Sequence, residues 1–249
     1  MGVETDYGRL AETIREWIGE RVSRAGARGL VVGLSGGLDS AVSAALGAGA
    51  VGEENVLGLI MPCGSSGKDT RDGLRIADHL AVEARVIELS ETLDAFLRAG
   101  GLEDTTELNS ANVKARLRMT MLYAHSEARL VLGTSNYSEI RVGYWTKWGD
   151  GAADLQPLAR LYKDEVRLLG ETLGLPRWVI ERVPSAGLWP GQSDEKEMGV
   201  TYGQIREYFQ GGDIQEDAAK RIERMAAATE HKRRPVPYFD AREWMEENG

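Results

Sequence analysis

Gly29-Leu30-Val31-Val32-Gly33-Leu34 runs straight into Ser35-Gly36-Gly37-Leu38-Asp39-Ser40, and this stretch, GLVVGLSGGLDS, sets the architecture of the chain. Its apolar half does not alternate with polar residues, as expected of a strand covered on both faces of a parallel sheet. The paired glycines allow a tight turn that no side chain obstructs. A helical stretch near 39–50 follows, so the turn joins a strand's carboxyl end to a helix N-terminus, where doubly wound sheets bind ligands. Successive backbone N–H groups there form an anion cradle, to which Ser35 and Ser40 add hydroxyls. Asp39 is unusual in such a cradle, because a carboxylate repels phosphate unless a cation bridges the two. Phosphate together with Mg²⁺ is the implied occupant. The competing reading is a plain glycine turn with Asp39 capping the helix.

Further along the chain, three more apolar runs read as strands covered on both faces: Asn55–Met61, Ala84–Leu89 and Arg129–Gly133. Helices are expected near 5–24, 68–81 and 107–127, and the alternation predicts a Rossmann-like, doubly wound, mostly parallel α/β sheet. Beyond residue 155 only helices are expected, near 163–173, 201–209 and 214–230, interrupted by the Gly- and Pro-containing stretch Pro184–Ser193. Residues 1–249 therefore read as one domain with a helical C-terminal extension. The 30 Lys and Arg against 39 Asp and Glu give a net charge of −9, without the basic footprint of a nucleic-acid binder. No apolar run approaches the roughly 20 residues of a membrane span. The acidic start, MGVETDYGRL, is not a secretory signal. The one cysteine, Cys63, excludes an intramolecular disulfide and a multi-cysteine zinc site. A cytoplasmic protein is expected, with neither nucleic-acid nor membrane partners.

Three decoys compete with the glycine turn. Gly47–Gly52 matches G-x-G-x-x-G, yet it ends a helix and precedes a strand, the reverse of a dinucleotide fingerprint. Gly64–Thr70, GSSGKDT, resembles a phosphate loop but has Pro62 where glycine is needed and Asp69 where the metal-binding hydroxyl belongs. Gly33–Gly37 also satisfies G-x-S-x-G, so a hydrolase with Ser35 as nucleophile and His231 as base stands as an alternative. It leaves Asp39 and Ser40 unused, and only one strand precedes the turn. A non-catalytic nucleotide-binding module is a further alternative.

A second polar turn, Gly133–Glu139, follows the fourth strand, so Thr134 and Glu139 can face the crevice that Asp39 faces. Two carboxylates with phosphate oxygens and water suit hard, octahedral Mg²⁺. The segment Gly143–Leu158, GYWTKWGDGAADLQPL, reads either as a surface loop with Trp145 and Trp148 packed inward or as a pocket for a flat heteroaromatic ring with Lys147 as an anion partner.

Taken together, Ser35–Ser40 (SGGLDS), Asn112–Arg116 (NVKAR), Leu132–Glu139 (LGTSNYSE), Thr146–Leu158 (TKWGDGAADLQPL) and Glu230–Pro237 (EHKRRPVP) resemble the N-type ATP pyrophosphatases of the PP-loop superfamily, and within them the ammonia-dependent NAD⁺ synthetases. The resemblance implies an adenine nucleotide alpha-hydrolase-like fold. It also implies a ligase that amidates deamido-NAD⁺ to NAD⁺ with ATP and ammonia, through an acyl-adenylate. It places the ATP phosphates on Gly33, Leu34, Ser35, Gly36, Gly37, Leu38, Asp39 and Ser40, and Mg²⁺ on Asp39 and Glu139. Thr134, Lys163 and Ser185 contact ATP on the same grounds, with Ser185 standing where many relatives have Thr. Arg116, Lys147, Asp154, His231 and Lys232 fall to deamido-NAD⁺, Asp150 to the neighbourhood of ammonia, and the assembly is a homodimer. Segments near Pro62–Thr70 and Ser185–Ser193 correspond to loops that order over the substrates. Glutamine-using relatives carry an additional amidase domain, for which the position of the first motif at residue 33 leaves no space, so free ammonia is the expected nitrogen donor.

Overall fold

In the computed structural model, which describes residues 5–64, 67–185 and 193–248, the glycine turn leaves an inner strand of a parallel sheet. The strands are β1 (Gly29–Gly33), β2 (Val56–Ile60), β3 (Glu83–Val86) and β4 (Arg129–Leu132), in the order β3-β2-β1-β4. Leu30 pairs with Val56 on one side and with Leu130 on the other. The chain moves outward from β1 to β3 and then returns to lay β4 beside β1. The carboxyl ends of β1 and β4 therefore flank the point where connection order reverses, and a crevice opens there. The substrate loops expected near Pro62–Thr70 and Ser185–Ser193 lie partly outside the described residues, as does the very start of the chain.

Side-chain alternation along β1 builds two core layers. Leu30 and Val32 face α1 (Tyr7–Arg24), α2 (Leu38–Val51) and, after α3 (Gly67–Leu80), the later helix at Lys163–Thr172. Val31 points the other way, joining Leu57, Leu59 and Val131 beneath α4 (Ser90–Ala99) and α5 (Glu107–Ala124). Helix α2 is built from small and apolar residues and is buried on nearly every side. At Gly47 an added Cβ would stand 3.0 Å from both Leu132 and Leu30 side chains, so α2 rides close to the sheet and its N-terminus is fixed at the crevice.

The remaining helices are α6 (Tyr137–Val142), α7 (Lys163–Thr172), α8 (Arg177–Ile180), α9 (Asp194–Met198), α10 (Tyr202–Phe209), α11 (Glu216–Ala228), α12 (Glu230–Arg233) and α13 (Ala241–Asn248). Val142, Met198, Ile205 and Ile222 form a third cluster that holds α6 against α9, α10 and α11. Among the described residues no helix is long and apolar enough to cross a membrane.

The strand expected at Ala84–Leu89 is Glu83–Val86, and it is not covered on both faces: Glu83, Arg85 and Val86 are exposed. It is the sheet's edge, and an ion pair between Arg85 and Glu83 occupies the exposed side, as edge strands often carry charge.

Gly29 shows how tightly β1 is seated. A Cβ there would lie 2.0 Å from the backbone oxygen of Asn55, which cannot move without disturbing the start of β2. Gly29→Ala should therefore cost about 1–3 kcal/mol or more through overpacking, lowering the thermal midpoint by several degrees. Gly203→Ala, on the exposed side of α10 and with the nearest atom 3.8 Å away, should be neutral or stabilising by about 0.5–1 kcal/mol. Calorimetric melting of the two variants checks the contrast.

Candidate active site

The turn after β1 is tied together by its own serines. The Ser35 N–H donates to Ser40 Oγ at 3.3 Å, the Gly37 N–H donates to Ser35 Oγ at 3.2 Å, and Ser40 Oγ donates to the Gly37 carbonyl at 2.9 Å. Gly36 has φ of 80°, a left-handed conformation that glycine adopts without penalty, and an added Cβ would meet Asp72 Cβ at 2.9 Å. Gly37 is the N-cap of α2 and brings no side-chain cap, which leaves first-turn N–H groups open toward an anion. Asp39 does not cap the helix, so the plain-turn reading fails. Its carboxylate instead crosses to two distant elements.

One of those elements is the turn after β4. Asn136 caps α6 in a reciprocal box: the Glu139 N–H donates to Asn136 Oδ1 at 3.0 Å, and the Asn136 N–H donates to Glu139 Oε2 at 3.3 Å. This box orders a helix of only six residues and aims Glu139 into the crevice. Asn136 Nδ2 then donates to Asp39 Oδ1 at 3.2 Å, which links the two turns directly. The second element is the start of α7, where the Lys163 N–H donates to Ser138 Oγ and Lys163 Nζ pairs with Asp39 Oδ2. The same ammonium stands 3.5 Å from Glu139 Oε1. Two carboxylates from separate turns thus share one buried cation.

Behind Glu139 lies a layer that sequence reading missed. The Tyr202 hydroxyl stands 3.2 Å from Glu139 Oε1 and 3.0 Å from Asp194 Oδ2. The Tyr144 hydroxyl lies 2.6 Å from Glu197 Oε2 and also reaches Asp194. Burial pushes the Glu139 carboxyl up to about 8, with Lys163 opposing the rise and Asp39 and Asp194 adding to it. Burial works against the charge of Lys163, but Asp39 and Glu139 outweigh it and hold the ammonium above the usual lysine range. Burial and the neighbouring carboxylates keep the Tyr202 phenol protonated.

Asp39, Glu139, Tyr144, Lys163 and Asp194 border a cavity of about 440 Å³, inside the roughly 300–1,000 Å³ range of small-molecule sites. Gly33, Leu34, Ser35, Gly37, Leu38, Asp39, Ser40, Thr134, Glu139, Asp150, Lys163, Ser185 and Lys232 line it. Gly36 lies just behind the wall. Arg116, Lys147, Asp154 and His231 are outside the lining. Arg116 Nε and Nη2 donate to the Lys147 carbonyl, and Lys147 Nζ donates to the His231 carbonyl at 2.8 Å. Asp154 accepts the Val131 N–H at 2.7 Å and a hydrogen bond from the Tyr123 hydroxyl, which fixes the segment beside β4. Of the two tryptophans, Trp145 borders the cavity and Trp148 is 57% exposed, so they are not both packed inward. Lys232 Nζ donates to the carbonyls of Gly143 and Trp145, while Asp150 accepts the Thr146 N–H at 2.8 Å.

Arg118 is another cavity residue outside the sequence motifs. Its Nε donates to the Met61 carbonyl at 3.0 Å, and burial works against its charge. Ala111, Ala115, Arg118 and Leu122 recur along the cavity-facing stripe of α5, and counting that helical period marks Arg118. No sequence signal of this kind points to Asp194 or Tyr202. The hydrolase alternative loses its geometry here: Ser35 Oγ is engaged with Ser40 and Gly37, and His231 does not line the cavity.

A glycine cradle at the switch point of a parallel sheet, faced by paired carboxylates and a buried lysine, defines a nucleotide-binding α/β enzyme of the doubly wound class. The family model described as NAD synthase matches residues 10–236, and this chain belongs to that family, whose reaction is the ATP-dependent amidation of deamido-NAD⁺. It is 45% identical over 199 residues to the NH(3)-dependent NAD(+) synthetase of Thermococcus kodakarensis, covering 79% of this chain and 78% of that protein. Among solved structures it resembles an NMN synthetase from Francisella tularensis, with a TM-score of 0.91, 36% identity and coverage of 95% of this chain and 100% of the other. It also resembles an NH3-dependent NAD synthetase from Campylobacter jejuni, with a TM-score of 0.81, 30% identity and coverage of 95% and 100%.

Proposed function

We propose that the cavity binds ATP with its phosphates on Gly33–Ser40, and that Asp39 and Glu139 hold Mg²⁺ while the nicotinate carboxylate of deamido-NAD⁺ attacks the α-phosphorus. One observation carries this reading: Asp39 and Glu139, from different turns, converge on a single cation, Lys163 Nζ, beside the open start of α2. That ammonium is a stand-in for the divalent ion, and the donor chemistry fits. Among the described residues no set of three or more His, Cys, Asp or Glu side chains could hold a metal alone. Two carboxylates completed by phosphate oxygens and water suit Mg²⁺, which is seldom caged wholly by protein. When bound, the ion neutralises charge on the departing pyrophosphate.

The chain's own groups do the rest. The α2 N-terminus and the turn's N–H groups orient the phosphates, and Lys163, displaced from the carboxylates, turns its charge to them. Thr134 and Ser185 contact the nucleotide. Attack forms the acyl-adenylate and expels pyrophosphate; ammonia, near Asp150, then displaces AMP to leave the amide. Lys232 belongs to the cavity end of the deamido-NAD⁺ site. Arg116, Lys147, Asp154 and His231 form its outer part, and their position outside the cavity fits a dinucleotide covered by the second subunit of a homodimer. The reaction belongs in the cytoplasm.

The test is incubation with deamido-NAD⁺, ATP, Mg²⁺ and ammonium, followed by identification of NAD⁺, AMP and pyrophosphate. Ammonium should support turnover and glutamine should not; ATP cleavage to ADP, or turnover without Mg²⁺, overturns the reading. A second reading, favoured by the close overlay on the NMN synthetase, makes nicotinate mononucleotide the acyl donor. Comparing kcat/KM for the two carboxylate substrates in the same assay decides between them.

A further inference from the structure

Arg182, which follows α8, reaches across the cavity wall and touches three things at once. Its Nη1 donates to the Gly36 carbonyl at 3.0 Å and to Asp72 Oδ2 at 2.7 Å, and its Nη2 donates to Asp69 Oδ1. Asp69 and Asp72 both belong to α3, and the guanidinium is only 18% exposed. Two carboxylates therefore offset its charge and fix its plane, and the Gly36 carbonyl completes the fork.

That carbonyl belongs to the peptide between Gly36 and Gly37. A bond flanked by two glycines turns over at little cost, so its orientation rests on the contacts it makes: the Gly37 N–H donates to Ser35 Oγ at 3.2 Å, and the Gly36 carbonyl accepts from Arg182. The peptide is trans, and in a trans peptide the N–H points opposite to the C=O. With the carbonyl held toward Arg182 and α3, the Gly37 N–H is directed to the other side, toward Ser35 Oγ, which lines the cavity together with Gly37 while Gly36 does not. The reverse orientation would aim a carbonyl oxygen at the phosphates and repel them.

We propose that Arg182 is a positioning residue for ATP: by gripping the Gly36 carbonyl from α3, it locks the Gly36–Gly37 peptide in its anion-binding orientation. The inference rests on the ATP reading of the cavity given above. Arg182 acts here through geometry, its charge already being met by Asp69 and Asp72, and it also ties the position of Ser185, three residues on, to that of the glycine turn.

The experiment measures binding of Mg²⁺-pyrophosphate by calorimetry, together with KM for ATP and for ammonium, in wild type, Arg182→Met and Arg182→Lys. Arg182→Met should weaken pyrophosphate and raise KM for ATP by about tenfold, the scale of a lost charge-assisted hydrogen bond, with KM for ammonium unchanged. Arg182→Lys keeps the charge but replaces the planar fork with one ammonium, so it should still weaken pyrophosphate by about twofold or more. If Arg182→Met does not fold, Arg182→Lys decides alone. Wild-type affinity in Arg182→Lys, or an equal rise in both KM values, overturns the proposal. Failure of the wild-type protein itself to bind pyrophosphate would instead remove the ATP reading beneath it.

Discussion

Asp39→Asn should reduce the rate of AMP release by a factor on the order of 10²–10³, the usual scale when one preorganised electrostatic group is lost from a transition state. The substitution keeps the shape of the side chain. An asparagine can still accept the hydrogen bond that Asn136 Nδ2 gives to Asp39 Oδ1, so the link between the two turns survives. What disappears is the charge that pairs with Lys163 and, on the proposed reading, one of two carboxylate ligands to Mg²⁺. Lys163 keeps Glu139 at 3.5 Å, and removing the Asp39 charge that opposes ionisation of Glu139 lets that carboxylate serve as the buried ammonium's partner, so the fold should hold. Activity should fall far more than the thermal midpoint, and raised Mg²⁺ should recover part of the loss. Wild-type AMP release at ordinary Mg²⁺ would remove Asp39 from the metal site. Ser35→Ala gives the matching control against a hydrolase: on the ligase reading it weakens the turn's hydrogen bonds but leaves ester hydrolysis, already absent, unaffected.

How much of this was legible in the sequence depended on whether the information was local. The strand Gly29–Gly33, its glycine turn and the small-residue helix behind it are continuous in the chain, and each follows from residue chemistry alone. The pairing of Asp39 with Glu139 was also legible, because a doubly wound sheet has one place where two strand ends flank a crevice. The exposure of β3 was not legible, because it follows from strand order and not from the apolar content of ARVIEL. Helix α4 lies outside the expected helices although Leu89, Leu93 and Leu97 recur every four residues. Helix α6 is too short for periodicity, and only its Asn136–Glu139 cap announces it. Asp194 and Tyr202 carry no motif at all. They matter because the C-terminal helices fold back beneath Glu139, and that return is fixed by the third apolar cluster, far along the chain from the turns it supports.

Those two hidden residues lead to the expected behaviour of Glu139→Gln, in which activity and stability should move in opposite directions. Burial, with Asp39 and Asp194 nearby, lifts the Glu139 carboxyl to about 8 in the ligand-free protein, against an ordinary value of 4.5. Between those two values the folded protein holds a proton that the unfolded chain has released, so stability must fall as pH rises from about 4.5 and level off above about 8. A tenfold change in proton affinity is worth about 1.4 kcal/mol; with Lys163 sharing the charge, the whole effect is on the order of a few kcal/mol. A glutamine has no proton to lose and removes that slope. It can keep the cap by accepting the Asn136 N–H, while its amide faces the Tyr202 hydroxyl, which can rotate to accept. Ligand-free Glu139→Gln should therefore match wild type near pH 5 and exceed it in thermal midpoint at pH 8. Over the same range AMP release should fall by a factor on the order of 10² or more, the scale expected when a group that stabilises transition-state charge is lost. Saturating Mg²⁺-ATP should close the gap, because the ionised glutamate is then paired and the glutamine has nothing to offer. Parallel melting curves for the two proteins from pH 5 to pH 9 would show that Glu139 is ionised throughout, and that the buried carboxylates cost the empty site nothing.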